Sequence, residues 1–163
     1  MKKLFKVALI LALTFCSGVT VMAQKTGSSK YKCMVQMTNY PGEGAYIVVS
    51  LIDPKGAYEK TLYVMGDDKK WYKDLKEWHK FQTKKPANLS AITGASVSGG
   101  ERSITVLELE NAKINAGYSL RFESAVENQE YRVKDIEFPL TTENLSGKNE
   151  GTGYIRYVRI SPN

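Results

Sequence analysis

This sequence predicts an all-β fold: an immunoglobulin-like antiparallel β-sandwich with one short helix. Three observations point there. Short apolar stretches recur with a period of two, clusters of Gly, Pro, Asn and Asp separate them, and strands do not alternate with helices as a parallel sheet would require. One segment alone carries helical spacing. No internal repeat or low-complexity tract divides the chain, so residues 31–163 read as a single sandwich domain.

Residues 1–23 read as a signal peptide. Lys2, Lys3 and Lys6 form a basic start, Val7 to Phe15 is an apolar run short for a membrane span, and Val21-Met-Ala23 is a small-residue cleavage site. Cleavage after Ala23 would leave Gln24 first in a periplasmic protein. Cys16 offers a lipoprotein alternative, which Phe15 disfavours, because a small residue normally precedes a lipidated Cys. Residues 24–30 are polar and read as a flexible lead-in.

The elements are taken in chain order. Tyr31, Cys33, Val35 and Met37 alternate with Lys32, Met34, Gln36 and Thr38 as a half-buried strand does. Asn39 to Gly44 is turn chemistry. Tyr46 to Ile52 is apolar on nearly both faces, as expected of a central strand covered on both sides. Asp53-Pro-Lys-Gly56 turns the chain into a hairpin partner, Thr61 to Met65. A helix over residues 68–81 comes next, capped by Asp67 or Asp68, with Trp71, Leu75, Trp78 and Phe81 turned inward. An indole edge bordering residues 90–96 could also stack on a planar ligand. Pro86 ends the helical region. Ile104 to Glu110 reads as a strand. Tyr118 to Val126 alternates as a half-buried strand, and the short turn Glu127-Asn-Gln129 makes the next strand antiparallel to it. In that strand the apolar phase slips between Tyr131/Val133 and Ile136/Phe138, which a bulge near Lys134-Asp135 reconciles. Thr141 to Gly153 is polar and Gly-rich, and Tyr154 to Ile160 is a last strand.

Composition narrows the function. Lys2, Lys3 and Lys6 carry half of the formal net charge of +6, so the mature chain is mildly basic and gives no reason to invoke nucleic acid. Cys33 is the one cysteine after the signal, which precludes an internal disulfide there and suits buried packing. His79 is the only histidine and lies among lysines, without a triad context. Cys33, Met34, Met37 and His79 lack the paired spacing of a metal site. No catalytic side chains and no metal ligands are assigned. The chain reads as a carrier or accessory protein rather than a self-sufficient enzyme, and redox chemistry would need a borrowed group.

The remaining signal is Ser90-Ala-Ile-Thr-Gly-Ala-Ser96. Two hydroxyl residues, Thr93 and Ser96, flank Gly94 and Ala95, a composition that leaves a hydroxyl open on a pliable loop. An ordinary turn has the same composition. The stretch resembles a covalent-FMN attachment motif. The series around it resembles the domain of unknown function 2271 family of exported bacterial proteins: Tyr46 to Asp53, Lys60-Thr-Leu62, Trp71-Tyr72 with Leu75 and Trp78, Ser90 to Ser96, then Gly117-Tyr118 through Phe122-Glu123-Ser-Ala125. Ser90 stands where the motif has Asp, Ser96 where Thr is usual, and Ser50 where the family strand tends to have Trp. The acidic, Gly-rich segment often seen after the motif is reduced to Ser98-Gly-Gly-Glu101. The resemblance implies that a flavin transferase esterifies FMN to Ser96, with Ser90, Thr93, Gly94 and Ala95 forming the recognised loop. The protein would then exchange electrons with a membrane or periplasmic redox partner. The alternative is a cofactor-free periplasmic interaction module in which this loop only connects strands. Oligomeric state is open in both. The attachment reading requires residues 90–99 to be exposed.

Overall fold

The structure, a computed structural model, describes residues 27–163. Cleavage after Ala23, Cys16 and residues 24–26 lie outside the described residues, but Ser28, Ser29 and Lys30, read as part of a flexible lead-in, begin the first strand and pair with Glu110, Leu109 and Glu108. Among the described residues nine strands form: β1 (Ser28–Met37), β2 (Tyr46–Ile52), β3 (Tyr58–Met65), β4 (Thr93–Gly94), β5 (Arg102–Glu110), β6 (Ser119–Ala125), β7 (Arg132–Pro139), β8 (Lys148–Glu150) and β9 (Ile155–Pro162). One sheet has the order β5-β1-β9-β8 and the other β4-β3-β2-β6-β7. All pairings are antiparallel except β3 with β4. The predicted antiparallel sandwich is what the chain adopts.

The core between the sheets takes Cys33, Val35 and Met37 from β1, the odd-numbered apolar residues of β2, and Leu120, Phe122, Ile136, Phe138, Ile155, Val158 and Ile160. Apolar alternation built β1 as read. β2 is buried on both faces, because its other face lies under a helical layer with Val48 beneath Tyr72, Leu75 and Trp78.

That layer departs from the expected single helix. Lys69–Asp74 is a 3-10 turn, and the α-helix α1 covers Lys76–Lys84. Asp68 caps the first by accepting from the Lys70 N–H, and the chain breaks at Leu75 (φ −83°, ψ 66°). A 3-10 turn repeats every three residues, so Tyr72, Leu75 and Trp78 line up inward. Trp71 is thereby turned out to half-burial, and Phe81 is half-buried as well. Trp78 is fully buried and donates from Nε1 to Thr61 Oγ1 at 2.8 Å.

Two further segments differ from expectation. β6 is buried on both faces, not one: Arg121 and Glu123 point into the helical layer rather than to solvent. Glu123 accepts from the Tyr58 and Tyr131 hydroxyls, and Arg121 pairs with Glu137. The segment after Ser96 is also less loose than its composition suggests. Val97 is buried and bridges Ala45, with backbone bonds in both directions of 2.8 and 3.1 Å.

The bulge lies where the phase slip placed it. Phe122 pairs with Ile136 but Ser124 pairs with Arg132, so β7 carries extra residues around Lys134-Asp135. The bulge turns Asp135 fully inward. Its carboxylate accepts from Ser124 Oγ at 2.5 Å and from the N–H groups of Gly153, Tyr154 and Ile155 at 2.8, 2.9 and 3.0 Å. One side chain thus ties the second sheet to the start of β9 in the first.

Candidate functional site

Ser90 to Ser96 runs from the helical layer to the edge of the second sheet. Ser90 is exposed at a turn, where its N–H bonds Asn88 Oδ1 at 3.0 Å. Thr93 and Gly94 then add to β3 as a two-residue parallel strand, with the Gly66 N–H donating to the Gly94 carbonyl at 2.6 Å. Thr93 and Gly94 are therefore half-buried, short of the full exposure expected for the loop, and the Thr93 hydroxyl is tied to the Leu89 carbonyl at 2.8 Å. Ala95 and Ser96 are exposed. Of the two flanking hydroxyls, Ser96 is the one presented to solvent.

The bridge made by Val97 holds Ser96 in place. The Tyr40 hydroxyl donates to the Val97 carbonyl and accepts from the Ala45 N–H at 2.7 Å, locking the Ala45–Val97 bridge from the side. This sets Ser96 against Gly44. A Cβ built on Gly44 would lie 2.6 Å from Ser96 Oγ, so glycine there keeps room for the hydroxyl.

Beside Ser96 opens a cleft of about 160 Å³, lined by Glu43, Gly44, Tyr46, Trp71, Asp74, Ser96 and residues 125–127. A hollow of about 290 Å³ lies across Trp71 and shares Asp74 and residues 125–127 with it. Trp71 stands between the two. It also carries the Lys70 ammonium 5.1 Å from its ring centroid. Tyr46 is held edge-on to Tyr72 at 6.4 Å and packs where Gly66 lacks a side chain: a Cβ there would sit 2.1 Å from the Tyr46 ring. Gly66 has φ +132°, which glycine alone adopts without strain. Glu43, Asp74 and Glu127 give the rim a negative character.

The arrangement joins a solvent-facing hydroxyl to a slot with aromatic walls. At about 160 Å³ the cleft is smaller than an ordinary ligand pocket and borders rather than encloses whatever lies against Ser96. Sequence reasoning placed Ser96, and Trp71 as a possible neighbour of its loop. It missed Gly44, Tyr46 and Tyr40, which sit in a segment read only as a turn and the start of a strand.

These features define an all-β sandwich with an exposed hydroxyl loop over an aromatic cleft. A family model described as predicted periplasmic protein (DUF2271) matches residues 28–157, and the chain belongs to that family. No curated protein and no solved structure matches it.

Proposed function

We propose that the protein carries FMN, esterified through its phosphate to Ser96, for electron transfer in the periplasm. The observation that supports this reading most is that the exposed Ser96 hydroxyl borders a cleft walled by Trp71 and Tyr46. The residues present fit the group in part: Ser96 would supply the ester oxygen and Trp71 and Tyr46 would border one side of the ring, most of which would lie outside a cleft of about 160 Å³. Once attached, the flavin supplies reversible electron transfer. Attachment is a balanced phosphoryl transfer. Ser96 Oγ attacks the FMN-side phosphorus of FAD, an ester bond forms, the phosphoanhydride breaks, AMP leaves, and the seryl proton passes to the transferase or solvent. The transferase needs in-line access to the hydroxyl, which the exposed position allows. The rim carboxylates Glu43, Asp74 and Glu127 would oppose negative charge on a group held there, and the Lys70 ammonium over Trp71 would offset part of that.

The partners implied are a flavin transferase and a membrane or periplasmic redox protein. The test is periplasmic co-expression with a flavin transferase, read by flavin fluorescence on a denaturing gel. Wild-type protein should fluoresce and Ser96→Ala should not, with its melting temperature unchanged. Thr93→Ala should weaken labelling and Ser90→Asp should match or exceed the wild type. A dark wild-type band that Ser90→Asp does not rescue leaves the cofactor-free interaction module as the better account.

A further inference from the structure

The sandwich has four sheet edges, and three are blunted. β8 has three residues; β4 has two and covers only Val64 and Met65 of β3, the rest of that edge carrying Glu59 and Lys60 in ion pairs with Lys113 and Glu110. β7 is longer but carries the bulge and ends in Pro139. β5 is different. It has nine residues, no proline, and an unbroken register against β1 from Ser28↔Glu110 to Gln36↔Arg102. It also exposes Ile104 (58%) and Val106 (43%), the two large apolar side chains left most open among the described residues. A long, regular, apolar edge is one that sandwiches normally protect.

The backbone of β5 shows what its open side offers. At one end of the ladder the Met37 N–H donates to the Glu101 carbonyl, and at the other the Asn111 N–H donates to the Gly27 carbonyl. Consecutive residues of an antiparallel strand direct their backbone groups to opposite sides. The odd-numbered residues of β5 therefore bond to β1. Arg102, Ile104, Val106 and Glu108 aim their N–H and C=O groups outward, and their side chains are the exposed ones.

We infer that β5 pairs with β5 of a second copy, antiparallel about a two-fold axis through Thr105, to make one continuous sheet across a homodimer. The strand is complementary to itself. In this register Ile104 lies opposite Val106 of the second copy and Arg102 opposite Glu108, and the symmetry produces each combination twice. Each of these pairs joins outward-directed backbone groups, so the ladder forms in full. Arg102 bonds only Gln36, Glu108 accepts from Ser28, and it is Glu110 that pairs with Lys60 and Lys113. Among the described residues neither Arg102 nor Glu108 makes a salt bridge within the subunit, although Lys30 of β1 lies directly opposite Glu108 in the register, so both charges are open to a partner across the axis.

Sedimentation equilibrium of the mature protein tests this, with circular dichroism to show that each variant folds. The wild type should dimerise reversibly. Val106→Lys should be monomeric, because it sets a lysine beside the partner edge. Arg102→Glu and Glu108→Arg should each weaken dimerisation about tenfold or more, since each creates two like-charge pairs. The double variant R102E/E108R should recover most of the loss, because it exchanges the charges and keeps every pair opposite. A wild type that stays monomeric at ~0.1 mM, a Val106→Lys protein that remains dimeric, or a double variant no better than the singles overturns the inference. The outcome does not depend on whether Ser96 carries a flavin.

Discussion

Single side chains separate the roles of the two tryptophans. Trp78 is fully buried and hydrogen-bonded to Thr61, so Trp78→Ala should cost about 3–5 kcal/mol in urea unfolding. Trp71 is half-buried beside the cleft, so Trp71→Ala should cost about 1 kcal/mol or less and act instead on what the cleft holds. Equal losses for the two would contradict the placement. Gly44→Ala addresses the loop directly. The added methyl would meet Ser96 Oγ at 2.6 Å and force the hydroxyl to rotate. Stability should change little, while the fraction of protein modified at Ser96 should fall, as intact mass reports. Glu123 makes stability depend on pH. Burial raises its carboxyl above the ordinary value despite its tyrosine donors. Between the ordinary and the raised value the native state binds more protons than the unfolded chain, so stability falls as pH rises through that window. Glu123→Gln lacks this fall. Melting curves from about pH 4 to about pH 8 should show the wild type losing ground to the variant as pH rises, and parallel profiles would count against the buried carboxyl. At Cys33 burial pushes the thiol up to about 12, which matches its place in the core.

Elements were legible where a period of two met solvent on one side. β1 and the β2–β3 hairpin could be read from alternation and turn chemistry, and the slip in β7 located its bulge. The helical layer was misread because α and 3-10 spacings both turn Leu75 and Trp78 inward. They differ only at Trp71 and Tyr72, and the contacts that decide between them are tertiary: the Tyr72 hydroxyl bonds the Gly66 carbonyl at 3.0 Å, and its ring meets Trp78 edge-on at 5.2 Å. β4 had no signal in sequence, since a two-residue parallel strand exists only because β3 offers an edge. β6 was read as half-exposed because Arg121 and Glu123 look solvent-facing until Tyr58, Tyr131 and Glu137 are known to satisfy them. The β7 bulge can be tested through Asp135. Asp135→Ala would leave the Gly153, Tyr154 and Ile155 N–H groups without their acceptor. It should destabilise by about 3 kcal/mol or more, seen as a lower denaturant midpoint. A loss under about 1 kcal/mol would show that Asp135 is not the tie between the sheets.

Across the molecule, the sheet order brings the candidate site together. Glu43 to Tyr46 lead into β2, Ser96 lies just past β4, Trp71 lies in the 3-10 turn, and residues 125–127 close β6. Because β2 lies between β3 and β6, these four distant segments converge at one end of the second sheet. The Ser90–Ser96 loop was visible in sequence because a short motif carries it. The cleft walls were not, because no local pattern links positions so far apart. No helix among the described residues is long and apolar enough to cross a membrane, and Ser96 is exposed at the surface. Peptide mapping by tandem mass spectrometry, after periplasmic co-expression with a flavin transferase, tests the central claim most directly. The account predicts that one peptide spanning Ser96 gains the mass of FMN less water, with the fragment series placing the gain on Ser96. An unmodified Ser96 peptide, or an adduct on Thr93 or Ser90 instead, would contradict it.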